Sequence, residues 1–256
     1  MASISKRISQ TRQPWGGYLK KGKFSIKKLS SHLKLNFREN IPSEVTELTV
    51  DYLTRYMIGS SASDAFASAL NGASIVKERN NANVLLHNIK GLNNKSIISA
   101  CKLAGYELLQ RDGKASSRQI SQIAPNAKTI WNIKQMVHRG LDFWDAYGPV
   151  VSIGFPFEDG YTFTVTSGKG DYQTQDTLWI LSTSRRKPNK IHTLKLLMHY
   201  IMGQHSSNPD LHSITQLGIY NPRQNKVYLM NVSGIKGSVI DTVTKNVIGY
   251  GATPTR

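Results

Sequence analysis

Cysteine is almost absent from this sequence, since Cys101 is the only one among 256 residues. A single cysteine excludes an internal disulfide and any metal site built from several thiolates. The sequence also lacks an apolar run near the roughly 18 residues that a membrane-spanning helix needs, and its basic N-terminus lacks the apolar segment of a secretory signal. These absences predict a cytoplasmic protein without a membrane partner, in which Cys101 is an ordinary core residue.

Acidic residues are also scarce, with 16 Asp and Glu against 33 Lys and Arg and a formal net charge of +17. An excess of this size predicts a polyanionic partner, most often nucleic acid. Between Met1 and Arg38 there is no acidic residue, and the aromatic residues Trp15, Tyr18 and Phe24 are interleaved with the basic ones. That pattern is typical of surfaces that follow a phosphate backbone and stack on bases. The alternative is a basic tail that only aids solubility.

Hydrophobic periodicity divides the chain into a basic N-terminal segment (1–40), a helical region (41–125) and an α/β core (126–256). In the helical region, the spacing of apolar residues predicts helices after Pro42, after Ser63 and after Asn94. The Asn-rich stretch 80–83 predicts a loop. The polar stretch 111–125, interrupted by Gly and Pro, predicts the boundary to the α/β core.

From residue 126 onward the pattern becomes mixed. A long amphipathic helix ends at Gly148-Pro149, and the segments PVVSIGF, GYTFTVTSG and DTLWILSTS follow as short strands. The segment KIHTLKLLMHYIMGQ has helical spacing, and ITQLGIYN and KVYLMNVS are predicted to form a hairpin across residues 222–225. A last helix is predicted over residues 237–247. This order predicts an α/β fold with a mixed sheet and an α-β-β-β-α-β core.

The order of elements over residues 126–232 resembles the core of the PD-(D/E)XK nuclease superfamily, in particular its RecB-like members. In that superfamily, an Asp at the end of the second core strand and an acid two residues before a Lys on the third strand bind Mg²⁺ at the scissile phosphate. The resemblance implies that Asp171, after the turn TSGKG, is the first of these acids. On the helix that follows, it implies that Lys195 is near the position of a Gln, and that His199 and Tyr200 are near that of a Tyr.

The third strand departs from the superfamily pattern, because Ile180-Leu181-Ser182 stands where the resemblance implies acid-x-Lys. An aliphatic side chain cannot bind a cation that requires oxygen ligands, and a hydroxyl cannot replace an ammonium group. Lys169 adds a positive charge next to Asp171. We therefore expect a degenerate nuclease-like core. Asp171 is its residual candidate for a catalytic and metal-binding residue, and Asp176 is a second candidate.

Four segments, VDYLTRYMIGSS, TVTSGKGD, DTLW and LGIYNPRQNKVY, are similar to segments of uncharacterised bacterial and phage proteins that carry the intact acid-x-Lys. This resemblance implies a bacterial or phage origin. It also implies that the loss of acid-x-Lys is a property of this chain rather than of all its relatives.

The leading hypothesis is therefore a DNA-binding protein that has lost nuclease chemistry and needs no cofactor. Its candidate nucleic-acid contacts are basic residues of the α/β core and of the N-terminal segment: Lys169, Arg185, Arg186, Lys187, Lys190, Lys195, Lys20, Lys21, Lys23, Lys27 and Lys28. The basic cluster after the third strand has a simpler interpretation as a loop in solvent.

Two alternatives stay open. The first is an active metal-dependent nuclease, in which Asp171, Asp176 or an acid on a helix holds Mg²⁺. The second is a protein-binding or assembly module, in which the basic surface contacts a protein partner or a second copy of the chain. A zinc site is not expected, because the histidines are irregularly spaced and no cysteines accompany them.

Overall fold

The structure is a computed structural model that describes residues 2–30, 33–112 and 120–251. Its chain divides into two units. The α/β unit contains Met1–Leu29 and Ala146–Arg256, and the helical unit contains Ser30–Asp145. These divisions differ from the predicted boundaries after residues 40 and 125. The N-terminal segment joins the α/β unit only up to Leu29, and the long helix before Gly148 falls mostly in the helical unit.

The helices and strands, numbered in chain order, are β1 (Ala2–Ser3), α1 (Ile4–Gln10), β2 (Ser25–Lys28), α2 (Ser43–Met57), α3 (Ala62–Ala65), α4 (Ala67–Ile75), α5 (Arg79–His87), α6 (Asn94–Asp112), α7 (Ala127–Tyr147), β3 (Ser152–Ile153), β4 (Val165–Ser167), β5 (Tyr172–Gln173), β6 (Thr177–Leu181), α8 (Lys190–Gln204), β7 (Gln216–Asn221), β8 (Lys226–Asn231) and α9 (Gly237–Thr242). Short 3₁₀ helices span Lys21–Lys23, Pro209–Ser213 and Val232–Gly234, and a π-helical segment, Val243–Ile248, follows α9. Within the described ranges, no helix has the length and apolar character needed to cross a membrane.

The helical unit is centred on α2, α4 and α6. The apolar face of α2 is fully buried at Val50 and Leu53. α4 and α6 can approach each other closely because Gly72 has no side chain; a Cβ there would lie 2.3 Å from the carbonyl oxygen of Tyr106. Cys101 of α6 is buried as well, and burial raises the pKa of its thiol to about 12. The prediction that Cys101 is an ordinary core residue is confirmed.

The predicted loop at the Asn-rich stretch 80–83 is wrong, because α5 occupies this stretch. Ala82 of α5 is fully buried, and its packing outweighs the low helix propensity of the neighbouring asparagines. Glu78, just before α5, accepts hydrogen bonds from the Tyr106 hydroxyl at 2.8 Å and from Asn81 Nδ2 at 3.2 Å. Tertiary contacts of this kind are invisible to a local pattern.

The α/β unit is built on a mixed six-stranded sheet with the strand order β2-β8-β7-β6-β5-β3. β6 and β7 are parallel, whereas the other neighbouring strands are antiparallel. Parallel neighbours need a long crossover connection, and α8 supplies it. The α/β class and the mixed sheet predicted from the sequence are confirmed.

α8 covers one face of this sheet. Its residues Leu197, Met198 and Ile201 belong to the same buried cluster as Leu178 and Ile180 of β6. Because side chains alternate along a strand, Leu178 and Ile180 share the α8 side, and Trp179 points to the opposite side. The centre of β6 is therefore a packing element on both faces.

The segment GYTFTVTSG, predicted as the second strand of the core, is not part of the large sheet. Only Val165–Ser167 of it forms a strand, β4, which pairs with β1. The hydroxyl of Tyr161 links the two ends of the stretch 157–168, since it donates to the Gly168 carbonyl at 2.6 Å and accepts from the Phe157 amide at 3.2 Å. The next strand of the large sheet after β3 is β5, which follows β4 after four intervening residues.

The N-terminal segment is folded onto the α/β unit up to Leu29, whereas the amides of Asn36 and Asn40 donate to Asn132 and Thr129 of α7 in the helical unit. β2 pairs with β8 as an edge strand of the sheet. The Leu29 amide donates to the Asn225 carbonyl at 2.8 Å, and Asn225 Nδ2 donates to the Leu29 carbonyl at 3.2 Å. In α1, Arg7 donates to the carbonyls of Asn246 and Val247. These contacts fix the positions of the basic residues that the segment carries.

A glycine of β7 provides a direct test of the sheet packing. In Gly218→Ala the new Cβ would lie 2.1 Å from Cε3 of Trp179, whose ring is held by a hydrogen bond to Thr174 and an edge contact with Tyr147. We expect a loss of about 1–3 kcal/mol in the free energy of unfolding, as for other overpacked cores, measured by urea denaturation. Gly237→Ala is the control, because nothing lies within 4 Å of its added Cβ. Equal stability of the two variants would contradict this packing.

Candidate nucleic-acid interface

Asp171 lies beside Ile180 at the start of β5. The antiparallel pairing of β5 and β6 joins Tyr172 to Trp179 and Gln173 to Leu178, and the same register continued by one residue brings Asp171 next to Ile180. Opposed residues of an antiparallel pair share a face of the sheet. Asp171 and Ile180 are therefore both on the face that α8 covers.

Lys195 of α8 neutralises Asp171. Its Nζ donates to Oδ1 of Asp171 at 2.8 Å and to Oδ2 at 2.6 Å. The side chains are only 30% and 17% exposed, respectively, so solvent and salt screen this pair less than an ion pair on the open surface. Lys195 was predicted as a nucleic-acid contact, and the structure places its ammonium group on this carboxylate instead of in open solvent.

The residues at the positions of acid-x-Lys are buried and contact other parts of the α/β unit. Ile180 is buried in the cluster under α8. Ser182 is 1% exposed, and its Oγ lies 3.0 Å from Nε2 of His192. His192 Nδ1 lies 2.8 Å from Oδ1 of Asn189, the residue that caps the N-terminus of α8. A hydroxyl this buried cannot attack a substrate, so the Ser182–His192–Asn189 chain ties the end of β6 to the start of α8.

Asp176, the second candidate acid, is at the other end of β6. It is exposed, and it accepts hydrogen bonds from the Thr177 hydroxyl at 2.8 Å and from Gln216 Nε2 at 3.2 Å. Asp176 is four positions before Ile180 in the chain. This spacing corresponds to about 13 Å along an extended strand. Asp176 and Asp171 are thus too far apart to bind one metal ion together.

The residues around Asp171 do not fit a magnesium ion. Mg²⁺ requires near-octahedral coordination by oxygen, whereas Lys195 binds both Asp171 oxygens and the adjacent strand position is the aliphatic Ile180. Among residues 2–30, 33–112 and 120–251, no group of three or more His, Cys, Asp or Glu side chains is arranged to hold a metal ion.

Two histidines next to this centre are held in the neutral form. His199 is fully buried, and burial together with the nearby Lys195 lowers its pKa to about 3. Its Nε2 has no hydrogen-bond partner in the described part of the chain. Burial, Lys195 and Lys21 lower the pKa of His192 to about 4. Both histidines are therefore neutral at physiological pH and add no charge to the site.

The basic loop after β6 is held by the turn between β7 and β8. Arg223 Nε donates to the Thr183 carbonyl at 2.6 Å, and Asn221 Nδ2 donates to the Ser184 carbonyl at 2.7 Å. Gln224 Nε2 donates to the Ser184 carbonyl at 3.1 Å and to the Arg186 carbonyl at 2.8 Å. The backbone of the loop is thus fixed, while the side chains of residues 185–187 are exposed.

The structure brings this loop together with part of the N-terminal segment. Lys21 and Lys187 line one cleft, and Gly17 packs against Lys190, the first residue of α8; a Cβ on Gly17 would lie 2.9 Å from Lys190 Cβ. We name Lys21, Arg186, Lys187 and Lys190, all exposed, the basic patch. Its members come from regions more than 160 residues apart in the sequence.

The other basic residues that were predicted to contact nucleic acid are not members of the basic patch. Lys20, Lys23 and Lys28 are exposed on the segment that contains Lys21. Lys27 lies over the ring of Tyr147, with its Nζ 5.9 Å from the ring centroid, and Tyr147 contacts Trp179 on the sheet face opposite α8. Lys169 is exposed in the turn before Asp171, and Arg185 is exposed in the anchored loop.

The cleft within the basic patch has a volume of about 230 Å³. Its lining combines two lysines with mostly apolar residues. These lining residues are Lys21, Gly22, Phe24, Ile26, Lys187, Pro188, Thr193, Ile219 and Tyr228. This volume is below the roughly 300–1,000 Å³ of pockets for drug-sized ligands.

Comparison of the chain with family models, with curated proteins and with solved structures gives no match.

Sequence reasoning missed the two pairings that define this region. Lys195 was placed with the nucleic-acid contacts although its partner is Asp171, and the proximity of Lys21 to Lys187 was not foreseen. The alternation in the segment FSIKK (residues 24–28) predicts a strand, which was the available signal for an edge position in the sheet. No local pattern indicates which strand it joins.

Acidification tests the buried histidine. Below pH 6.5 the unfolded chain takes up a proton on His199, whereas the folded chain takes it up only near pH 3, so the free energy of unfolding falls as the pH decreases through this window. In His199→Phe this contribution is removed, and we expect the loss between pH 7 and about pH 4.5 to shrink by an amount on the order of 2 kcal/mol.

Urea denaturation at each pH measures the effect. Met198→Leu, a change at the adjacent buried position that removes no titratable group, should keep the full acid loss of the natural sequence. If His199→Phe loses stability with pH as steeply as Met198→Leu does, His199 is not held neutral in the folded protein.

Proposed function

We propose that this protein binds nucleic acid, DNA in the first instance, through the basic patch, and that it does so without metal-dependent cleavage. The observation that carries the proposal is that Lys21 and Lys187 line one cleft, and that Gly17, four residues before Lys21, packs against Lys190, in a chain of net charge +17. Clustered cations on one face are the electrostatic footprint of a phosphate-binding surface.

The fixed backbone of the basic loop supports this function. Hydrogen bonds from Asn221, Arg223 and Gln224 hold the loop carbonyls, so little backbone entropy is lost when the exposed side chains bind an anion. The basic side chains can then contact successive phosphates, which position a nucleic acid without reading its sequence.

The ion pair between Asp171 and Lys195 supports the absence of cleavage. A nuclease of the superfamily that the element order resembles concentrates carboxylates at this place in order to hold Mg²⁺. Here one carboxylate is neutralised by an internal ammonium group, and Ile180 fills the adjacent position. Binding a metal at Asp171 would first require breaking this partly shielded pair. This pair supports the proposal that the protein binds nucleic acid without cleaving it.

The salt dependence of binding tests the basic patch. Each phosphate contact on a single strand contributes about 0.7 to the slope of log K against log salt. In the double variant Arg186→Ala/Lys187→Ala we therefore expect weaker binding and a slope reduced by about 1.4. Fluorescence anisotropy with a labelled oligonucleotide, between about 50 and 200 mM salt, measures both quantities.

Lys236→Ala/Lys245→Ala is the matched control. It also removes two exposed positive charges from the α/β unit, and Lys245 lies in the segment before Tyr250, which stacks on His205 at the opposite end of α8 from Lys190. The control should keep the natural slope. A slope that decreases equally in both variants would mean that total charge, and not the basic patch, binds the nucleic acid. Binding to a protein partner that persists after nuclease treatment would favour the assembly module instead.

A further inference from the structure

Trp15 is almost completely exposed, at 98% of its accessible surface. It lies at the tip of a tight turn in which the Gly17 amide donates to the Pro14 carbonyl at 2.9 Å. Gly16 and Gly17 have φ values of 81° and 82°, in the left-handed region that glycine adopts readily. The sequence thus builds a turn that presents a large apolar ring to solvent.

The turn is held firmly on both sides. Gln13 and Leu19 flank it and are buried, and Tyr18 packs against the core of the α/β unit. Gly17 contacts the start of α8 at Lys190. Trp15 is therefore not on a loose tail, and the orientation of its turn is set by the surrounding fold.

A single exposed aromatic side chain is ordinary on a protein surface. The position of Trp15 distinguishes it, because its turn touches Lys190 of the basic patch and leads directly to Lys20 and Lys21. Lys21 and Lys187 both line the cleft, and the apolar side chain of Phe24 lines it as well. An exposed ring, a small cleft lined by two lysines and apolar residues, and the ammonium group of Lys190 are thus connected through one turn and its continuation.

We infer that this surface binds unpaired nucleotides, with Trp15 stacking on an exposed base while the basic patch holds the neighbouring phosphates. The inference rests on the proposed nucleic-acid binding and specifies its substrate class as single strands or unpaired ends. In a duplex the faces of the bases are occupied by their neighbours, so a protruding aromatic ring has nothing to stack on. On a single strand, base stacking on aromatic side chains combines with a cationic groove to give binding of any sequence.

The test compares a labelled oligo(dT) of about 15 nucleotides, near the upper size of a single-strand binding site, with a duplex of equal length. In Trp15→Ala we expect oligo(dT) affinity to fall by about tenfold, which corresponds to about 1.4 kcal/mol and lies within the range for one stacked base. Duplex affinity should stay within about twofold, because phosphate contacts alone determine it. Trp15→Phe should recover most of the single-strand affinity.

Phe163→Ala is the matched control, since Phe163 is another exposed aromatic residue of the α/β unit, at 71% exposure, and lies beside the uncharged residues Thr162 and Thr166. It should change neither affinity. A second measurement needs no substitution: stacking should quench the emission of Trp15 and protect it from acrylamide when oligo(dT) is added, and the same additions should leave Trp15→Phe unchanged.

The outcomes separate this inference from the proposed function. If oligo(dT) and duplex bind with strong salt dependence but Trp15→Ala weakens neither, or weakens both equally, the stacking role is overturned and nucleic-acid binding stands. If neither probe binds to the natural sequence, the proposed function itself fails. A selective loss for oligo(dT), together with protection of Trp15 from acrylamide, supports the inference.

Discussion

The parallel pairing of β6 and β7 is the constraint on which the interface depends. Because parallel neighbours cannot be joined by a tight turn, the chain must leave β6, cross the sheet as α8 and return to β7. The crossover puts the start of α8 next to the carboxyl ends of β6 and β7, at the same end of the two strands. In open α/β sheets, ligands commonly bind outside the carboxyl ends of such strands. The basic loop and its anchoring residues Asn221, Arg223 and Gln224 meet there for this topological reason.

The same arrangement explains why the solvent-exposed cation of α8 and the cation that binds Asp171 are at different positions along this helix. At its N-terminus the helix presents Lys190 to solvent, against the turn that leads to Lys21. Farther along, Lys195 faces the sheet and is bound to Asp171. Among the described residues, the cations at the exposed end form no salt bridge and could contact a phosphate, whereas the inner cation compensates the charge of Asp171. The surface that we propose to bind anions can therefore lie next to a centre whose own charge is balanced internally.

Much of the fold could be predicted from the sequence, because long periodic elements carry their own signal. α2, α6, α7 and α8 and the β7–β8 hairpin follow from apolar spacing and turn residues. The failures have physical causes: α5 depends on the burial of Ala82, and β4 pairs with β1 within a stretch whose ends, Phe157 and Gly168, are both bonded to the Tyr161 hydroxyl. The candidate site was predicted only in part. The basic residues could be listed from composition. The Asp171–Lys195 ion pair and the cleft that Lys21 and Lys187 both line depend on long-range packing, which no local pattern encodes.

The central claim is that this surface binds nucleic acid while the centre beside Asp171 does not cut it. The most direct measurement incubates the purified protein with end-labelled DNA, with and without Mg²⁺ or Mn²⁺, and scores complex formation and strand breakage in the same samples. The account predicts salt-sensitive binding that does not require a divalent metal, and intact DNA in every sample. Metal-dependent cleavage that disappears in Asp171→Ala would contradict it.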